Sequence, residues 1–293
     1  MKKINEQKEL NLYLVRHGET EGNVHRPLYK EIADHAILLT KEGKRQAHNA
    51  GAFLATQLYG EYAADPDGFG AIRVWHSPYY RTRQTAHGIL YELGRAFDPC
   101  SNVLSYREEP FLIEQKAGLF DGLTDEEFEE QYPEEAANYN RHKKFLGRIY
   151  GTAPLGETRL DVVIRAKQHF RSVIEDYVGR NIRHVVIVTH GLTARAYEMG
   201  WMRYAPEWLD SEKNPGNCWI RHIHGRRARG YIDEGYIHGE KAPLRDVMAT
   251  QRKTEGAEQV YMLKPQRPNA IVPLGITAVN PFAKPLIEEL RVR

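Results

Sequence analysis

Residues 12–23 read LYLVRHGETEGN, and this stretch decides the fold. The apolar run Leu12–Val15 predicts a buried strand. The run ends at Arg16, His17 and Gly18, and small polar residues typical of a turn follow. In an open α/β sheet, ligands bind beyond the carboxyl ends of the strands. A fixed cation beside a titratable imidazole at such a place suits an anionic substrate.

A second strand, far downstream, ends in the same way. Residues Val185–Thr189 read VVIVT and are followed by His190 and Gly191. Because neighbouring strands lie about 4.8 Å apart, two parallel strands with these endings would hold the imidazoles of His17 and His190 side by side. A single histidine of this kind is more often structural. Two such strand ends in one chain favour a catalytic pair.

A third apolar run, Ala71–His76, leads into the segment SPYYRTRQTA at 77–86. Ser77 is a good helix N-cap and Pro78 suits the first helical position, so we expect a helix to begin here. Arg81 would then lie near the helix N-terminus, where backbone amides favour an anion. The alternative is an arginine on a solvated helix face.

The candidate general acid is Glu114, in the segment FLIEQKAGLFDG at 111–122. A partly buried carboxyl group at a strand end can hold a proton near neutral pH and donate it to a leaving group. Glu108 and Glu109 have the same chemistry and remain alternatives on residue type alone.

Together these segments resemble the histidine phosphatase superfamily, with its phosphoglycerate mutase-like fold, and specifically the branch with a short cap. The resemblance spans roughly residues 11–224, and its separated motifs follow the family's order. These motifs are Arg16-His17-Gly18, Asn23, Ser77-Pro78 with Arg81, Leu112-Ile113-Glu114 with Gly118, Gly156-Glu157-Thr158 with Asp161, and His190-Gly191. A closer similarity, to plant and fungal mutase-like acid phosphatases, rests on Glu21-Gly22-Asn23, Asp34-His35-Ala36-Ile37 with Leu39-Thr40, and Asn214-Pro215-Gly216-Asn217-Cys218.

The resemblance implies an α/β fold: a phosphoglycerate mutase-like three-layer sandwich whose mostly parallel central sheet has helices on both faces. It implies a phosphomonoester hydrolase that acts through a phosphohistidine, with no metal and no cofactor. Basic and aromatic residues of the cap and loops, among them Arg26 and Tyr29, suit a small organic phosphate, and a phosphoprotein is the alternative. His17 would attack phosphorus, and Glu114 would act as acid and then as base. Arg16, Arg81 and His190 would hold the phosphoryl oxygens. The candidate phosphate- or substrate-binding residues are Asn23, Gly18, Thr20, Gly191, Arg26 and Tyr29.

Two other functions share this fold: a cofactor-dependent phosphoglycerate mutase and a non-catalytic phosphate-binding scaffold. Mutases of the family carry Arg-His-Tyr after the acid glutamate, where this chain has Gln115-Lys116-Ala117. Their tryptophan- and asparagine-rich stretch after the first motif is replaced here by VHRPLY at 24–29. Both departures remove donors that a mutase needs. A scaffold would be expected to lack a catalytic residue, and none is missing, so the sequence favours a phosphatase.

The composition is typical of an intracellular globular enzyme. Of the 293 residues, 41% are hydrophobic and 27% charged, and the net charge of +2 is too small to imply a general nucleic-acid surface. No apolar run approaches the roughly 18 residues of a membrane span, and residues 1–9 contain no apolar core of a secretory signal. Cys100 and Cys218 show neither metal spacing nor a disulfide framework. We expect a cytoplasmic enzyme whose partner is a small phosphorylated substrate, with no nucleic acid and no membrane.

We expect a catalytic domain over residues 1–234 and a proline-punctuated C-terminal arm over 235–293, packed on the core or on a partner in a homodimer. Six prolines between 243 and 285 argue against a long helix there, and a disordered tail is the alternative. Within the domain, helices are predicted to begin near Thr40, Thr124 and Thr158, and Tyr59–Gly70 to form a loop.

Two further patterns point to other ligands only weakly. His222 and His224 would share one face of a strand, but no third metal ligand is evident, so a surface pair is the better interpretation. The basic cluster at 226–229 lacks the interleaved aromatic residues of an RNA-binding module.

Overall fold

The computed structural model describes residues 8–97, 103–226 and 229–239. Strands and helices alternate along these ranges. The elements are β1 (Leu10–Arg16), α1 (Glu21–Val24), α2 (Lys41–Ala64), α3 (Pro66–Phe69), β2 (Ala71–His76), α4 (Tyr80–Ala96), β3 (Leu104–Glu108), α5 (Asp125–Gln131), α6 (Pro133–Leu146), α7 (Arg159–Arg180), β4 (Ile182–Thr189), α8 (Gly191–Met202), α9 (Pro206–Ser211), β5 (Ile220–Arg226) and β6 (Gly230–His238). Short 3₁₀ turns cover Arg26–Lys30, Asp34–Ala36, Pro110–Leu112 and Gly118–Phe120. Within the ranges described, no helix has the length and apolar character needed to cross a membrane.

The six strands form one sheet in the order β3-β2-β4-β1-β5-β6. The first four strands in that order run parallel, and β5 and β6 continue the sheet in antiparallel fashion. Strands β1 and β4 are direct neighbours, with Arg16 opposite Thr189. The residues that follow them, His17 and His190, therefore leave the same edge of the sheet side by side. This confirms the arrangement predicted from the two strand endings.

Alternating side chains of β1 pack into different layers. Tyr13 and Val15 belong to an apolar cluster with side chains of α2 and α4 on one face of the sheet. Leu12 and Leu14 belong to a cluster on the other face, with side chains of α7 and α8. The α/β three-layer sandwich with a mostly parallel sheet is confirmed.

The predicted helix starts are confirmed at three threonines. Thr40 caps α2 by accepting a hydrogen bond from the Gly43 N–H, and Thr124 and Thr158 each form a capping box. The loop predicted over Tyr59–Gly70 is wrong, because α2 continues to Ala64 and α3 follows almost at once. Burial of Leu58 and the packing of the Tyr62 ring on Phe69 and Phe97 stabilise a helix that the local composition disfavours.

The predicted domain boundary at 234/235 falls inside β6. This strand pairs with β5 as far as His238, whose ring packs on Phe53, and Ile237 packs against the apolar cluster of α2 and α4. The sheet therefore includes the first residues of the predicted arm. Residues 240–293 lie outside the described part of the chain, so the packing of the arm stays a prediction.

Candidate active site

His17 lies just beyond β1, where this strand meets β4. The residue is 5% exposed, and its backbone N–H donates to the Thr189 carbonyl at 2.9 Å. Its Nδ1 lies 2.7 Å from the Gly18 carbonyl oxygen. A carbonyl oxygen only accepts, so we assign the proton to Nδ1 and the free lone pair to Nε2. Burial lowers the pKa of His17 well below its ordinary value, and the charges of Arg81 and Arg16 lower it further. The ring is therefore a neutral imidazole.

His190 follows β4 directly and precedes α8. The centroids of its ring and the His17 ring are 5.4 Å apart. Its Nδ1 accepts a hydrogen bond of 3.3 Å from Arg81 Nε, so Nε2 carries the proton and donates it to Ser77 Oγ at 2.9 Å. Burial and then the Arg81 charge lower the pKa of His190 well below its ordinary value. The two imidazoles are both neutral, but they are opposite tautomers.

The helix after β2 begins later than predicted. Its first residue is Tyr80 and its N-cap is Tyr79, which makes no side-chain capping hydrogen bond. The prediction that Ser77 is the N-cap is wrong, because the helix begins three residues later; the Ser77 hydroxyl group accepts from His190 at 2.9 Å and from the Tyr79 N–H at 3.4 Å. Arg81 still lies in the first turn of α4, as predicted.

Two arginines flank the histidines. Arg81 is 3% exposed, and its two Nη atoms donate to both carboxylate oxygens of Asp34, at 2.9 and 3.2 Å. Arg16 Nη1 donates to the Pro215 carbonyl at 2.6 Å, while its buried Nε has no hydrogen-bond partner among the residues described. Burial lowers the pKa of Arg16, and the Glu114 carboxylate opposes that shift. A buried, unpartnered N–H beside His17 suits an anion that binds there.

Glu114 follows the 3₁₀ turn at Pro110–Leu112 and meets the first turn of α8. Its carboxylate accepts from the backbone N–H groups of Leu192 and Thr193, at 3.4 and 3.3 Å, and from Thr193 Oγ1 at 3.1 Å. The Thr193 hydroxyl also lies 2.7 Å from the Ile113 carbonyl oxygen. The structure therefore places this carboxylate at the helix that begins next to His190.

The two alternative acids lie elsewhere. Glu108 forms an ion pair with Arg83, with two hydrogen bonds of 2.7 and 3.0 Å. Glu109 accepts from the Phe111 N–H and caps the 3₁₀ turn. Neither carboxylate is bonded to the residues around His17, whereas the charge of Glu114 acts on Arg16.

A clamp of Glu157 and Arg165 fixes the loop that carries Glu114. Arg165 pairs with the Glu157 carboxylate at 3.0 and 3.2 Å and donates from Nη2 to the Glu114 carbonyl at 3.0 Å. Glu157 also accepts from the Lys116 N–H, and its carbonyl accepts from the Gln115 side chain at 2.7 Å. These contacts hold residues 114–116 of the loop in place.

The residues just after His17 are bonded to one another and to neighbouring elements. Gly18 abuts α2 so closely that a Cβ there would clash with the Gly43 carbonyl oxygen. Thr20 is fully buried and forms a capping box with Asn23 at the start of α1. The Asn217 amide donates to the His17 carbonyl at 3.1 Å and to Asn23 Oδ1 at 3.3 Å. These contacts hold the backbone that presents His17.

The remaining candidate binding residues are Tyr29, Gly191 and Arg26. Tyr29 packs beside the start of α1, where a Cβ on Gly22 would lie 2.6 Å from its ring. Gly191 is the first residue of α8, beside Asn214 and Arg16 Nε. Arg26 is exposed and lies near the acidic helix α5. The pKa of Glu127 in that helix is lowered chiefly by its hydrogen bond with Lys30 and, to a smaller extent, by the charge of Arg26.

Several residues of the site carried no predicted role. Asp34 binds Arg81, Asn217 binds the His17 loop and Thr193 binds Glu114. The Tyr79 ring lies 4.8 Å from the Arg81 guanidinium and 5.0 Å from the His190 ring. Asp34 and Asn217 stand in motifs of the family resemblance, which is the signal that could have identified them.

The two strand histidines of β5 are fully engaged. His222 Nε2 pairs with Asn11, and His224 pairs with Glu9 and Glu234. Across the three described ranges, no group of His, Cys, Asp and Glu side chains has the spacing of a metal site.

Comparison with known proteins identifies the family. The model of the histidine phosphatase superfamily, branch 1, matches residues 12–234. The chain is 34% identical to the phosphoglycerate mutase-like protein AT74 of Arabidopsis thaliana over 218 residues, which are 72% of this chain and 63% of that protein. It is 23% identical to the broad-range acid phosphatase DET1 of Saccharomyces cerevisiae, with 70% of this chain and 82% of that protein covered.

The fold is shared with solved structures as well. The structure of mycobacterial hydrolase 1 aligns with a TM-score of 0.56 at 19% identity and covers 79% of this chain and all of that one. With the site geometry and the matched motifs in agreement, the chain belongs to the histidine phosphatase superfamily, branch 1, and is an enzyme of the phosphatase class.

Proposed function

We propose that this enzyme hydrolyses phosphomonoesters of small organic molecules through a phosphohistidine on His17. The observation that carries the proposal is the state of His17. Its ring is buried and neutral, with Nδ1–H bonded to the Gly18 carbonyl and Nε2 unprotonated. Histidine in this state is a competent nucleophile. The guanidinium groups of Arg16 and Arg81, whose charges act on His17, offer donors for a phosphoryl group, and the His190 ring lies beside it.

In the first step, the Nε2 lone pair of His17 attacks phosphorus and the bond from phosphorus to the ester oxygen breaks. The leaving oxygen takes a proton from Glu114, which starts the step as the acid. The Nδ1–H bond to the Gly18 carbonyl stabilises the positive charge that the ring acquires. Since phosphoryl transfer depends chiefly on positioning and electrostatic stabilisation, the arginines carry much of the catalysis.

In the second step, water attacks the phosphohistidine and gives a proton to Glu114, which is now a carboxylate. The phosphorus–nitrogen bond breaks, its electron pair returns to Nε2, and inorganic phosphate leaves. Glu114 is again an acid and His17 again neutral. One carboxyl group thus serves both half-reactions.

A small substrate is supported by the depth of the site. His17, Arg81 and His190 are at most 5% exposed, so they leave little surface for a bulky substrate to contact. The similarity to the yeast broad-range acid phosphatase supports a phosphomonoesterase that accepts many substrates.

The mutase remains the alternative because the site would share its first half-reaction. Where family mutases carry arginine, this chain has Gln115, whose amide is bonded to the Glu157 carbonyl. Lys116 is exposed, and its N–H is bonded to the Glu157 carboxylate. These contacts favour a loop that is built to hold Glu114 rather than to grip a substrate carboxylate.

One assay separates the functions. Purified enzyme is offered a panel of phosphorylated metabolites and a phosphopeptide, and phosphate release is measured beside the interconversion of 2- and 3-phosphoglycerate with bisphosphoglycerate present. We expect phosphate release from small esters and no interconversion. Interconversion that is sustained and faster than phosphate release would identify a mutase. A folded protein inactive in every assay would identify a scaffold.

A further inference from the structure

The hydrogen bonds of Arg81 are unusual for a residue that is to bind phosphate. Of its four hydrogen bonds within the described structure, three end on Asp34: Nη1 to the carbonyl oxygen at 2.5 Å and to Oδ1 at 2.9 Å, and Nη2 to Oδ2 at 3.2 Å. The fourth, from Nε, goes to His190. A guanidinium has five N–H donors, so this geometry leaves one of them for a ligand.

The two partners of this ion pair differ in their freedom to move. Arg81 is 3% exposed and is packed against the rings of Tyr79 and His190. The Asp34 side chain is 36% exposed and belongs to a 3₁₀ turn of three residues. A ligand at this site therefore meets a buried guanidinium whose carboxylate partner, being more exposed, can rotate into solvent.

The backbone beside Asp34 is well anchored, so this movement is confined to the side chain. Ile37 is fully buried, and the Leu39 N–H donates to the Gln84 side chain of α4 at 2.7 Å. The His35 ring contacts the rings of Tyr79 and Tyr80. Displacement of the Asp34 carboxylate does not require the segment to unfold.

We propose that the Asp34 carboxylate competes with substrate and product, because it holds, on Arg81, the place that a phosphoryl group takes. The inference rests on the proposed function. Forked carboxylate and phosphate groups bind a guanidinium in the same bidentate way, so an anion must displace Asp34 before Arg81 can grip it. The cost falls on every anion, but only an ester gains further contacts through its alcohol portion. Asp34 thereby weakens the binding of the inorganic phosphate product and favours its release.

The test is the charge-removing variant Asp34→Asn, which keeps the shape of the side chain. With nitrophenyl phosphate as substrate, we expect both KM and the inhibition constant of inorganic phosphate to fall by about two- to fivefold, the effect of removing one partly exposed ion-pair competitor. The matched control is Glu108→Gln, which discharges the bidentate partner of Arg83 on the same helix. That variant should leave both constants unchanged.

Two results with Asp34→Asn would overturn the proposal. The first is an unchanged inhibition constant of inorganic phosphate. The second is a rise in that constant, which would mean that Asp34 orients Arg81 for binding. The double variant Asp34→Asn with Arg81→Ala should show no gain in phosphate affinity over Arg81→Ala alone; a gain there would show that Asp34 acts elsewhere. If Asp34→Asn fails to fold, Asp34→Ser serves in its place.

A binding readout separates this proposal from the proposed function. Isothermal titration calorimetry of the same variants with inorganic phosphate measures affinity without turnover. If the wild-type protein hydrolyses no ester, the proposed function fails, while the titration still decides whether Asp34 competes with phosphate. If the wild type is active and the titration shows equal affinities, only the role of Asp34 is lost.

Discussion

At the scale of single residues, the two facing imidazoles are set in opposite tautomers by different partners. The Gly18 carbonyl fixes the proton of His17 on Nδ1, and the Arg81 Nε–H leaves the proton of His190 on Nε2. The histidines therefore have different chemistry. His17 offers a lone pair at Nε2, and His190 lies between the guanidinium and the Ser77 hydroxyl.

The role of Glu114 predicts a leaving-group effect. Glu114→Gln keeps the shape of the side chain but has no proton to donate, and general acid catalysis by one residue typically contributes about 10²–10⁴ in rate. We expect a loss of that order for alkyl phosphates and a much smaller loss for nitrophenyl phosphate. The kcat/KM values of both substrates for wild type and variant check this, because they report the phosphorylation step and not the shared hydrolysis of the phosphohistidine.

The matched control for the acid is Glu109→Gln. The Glu109 carboxylate accepts a hydrogen bond from the Phe111 N–H and precedes Glu114 closely in the sequence. We expect this variant to retain the wild-type dependence on leaving group. An equal loss on all substrates in Glu114→Gln, with a leaving-group effect in Glu109→Gln, would reassign the acid.

Residue types at strand ends could be read from the sequence, but their partners could not. Arg16, His17 and His190 follow apolar runs whose ends meet at one edge of the sheet, so their proximity follows from topology. The Asp34–Arg81 pair joins residues 47 apart through a short turn, and nothing local specifies it. Ser77 was misassigned because Ser-Pro is a strong local cap signal, whereas its contact with His190 is tertiary.

At the scale of elements, the loop that presents His17 touches the first turn of α2 through glycines. A Cβ on Gly43 would clash with the Glu19 carbonyl oxygen. We expect Gly43→Ala to lower the free energy of unfolding by about 1–3 kcal/mol, the usual cost of overpacking. Because the clash displaces the loop, kcat should fall about tenfold or more. Urea unfolding and steady-state kinetics measure the two effects.

The same helix offers a control in Gly60, where a Cβ would meet nothing within 4 Å. Gly60→Ala should be neutral or stabilise the fold by up to about 1 kcal/mol through helix propensity. Its activity should equal that of wild type. A Gly43→Ala protein as stable and active as Gly60→Ala would show that the close approach has no role.

Helix starts were predictable where a threonine and an acceptor three residues later lie together, as at Thr124 and Thr158. The end of α2 was not, because the glycine, aspartate and proline of that stretch favour a loop locally. Contacts of Tyr62 with Phe69 and with Phe97, the C-cap residue of α4, override that preference.

At the scale of the whole molecule, several histidines are buried in the neutral form. Burial lowers the pKa of both His169 and His184 to about 3, and His17 and His190 shift in the same direction. Below the ordinary histidine pKa of about 6.5 the unfolded chain binds protons that the folded chain does not, so stability falls as pH falls. The window runs from about pH 6.5 down to the lowered values.

His169→Phe isolates one of these groups. The free energy of unfolding of the wild-type protein should fall as the pH is lowered from 7.5 to 5.5. In His169→Phe this fall should be smaller by about 1.4 kcal/mol, because one histidine that stays neutral in the fold contributes that much one pH unit below its ordinary pKa. Urea unfolding at the two pH values measures it. Tyr197→Phe, which removes the hydroxyl partner of His169 but not the titrating ring, should keep the wild-type loss. Equal losses in His169→Phe and wild type would contradict this account.

The global architecture followed from the α/β rhythm and the family motifs, and the sheet order confirms it. The end of the domain was harder to predict, because the second half of β6 has few purely apolar residues. Its place in the sheet depends on pairing with β5 and on contacts such as the Tyr236 ring on Trp219.

The most direct test of the central claim is to trap the covalent intermediate. Enzyme mixed briefly with radiolabelled substrate is quenched and denatured, and the protein-bound label is tested for the acid lability and alkali stability of a phosphohistidine. We predict such a label on wild type and on His25→Ala, whose exposed imidazole lies in the same segment. We predict no label and no hydrolysis in folded His17→Ala. Full hydrolysis by His17→Ala would contradict the account.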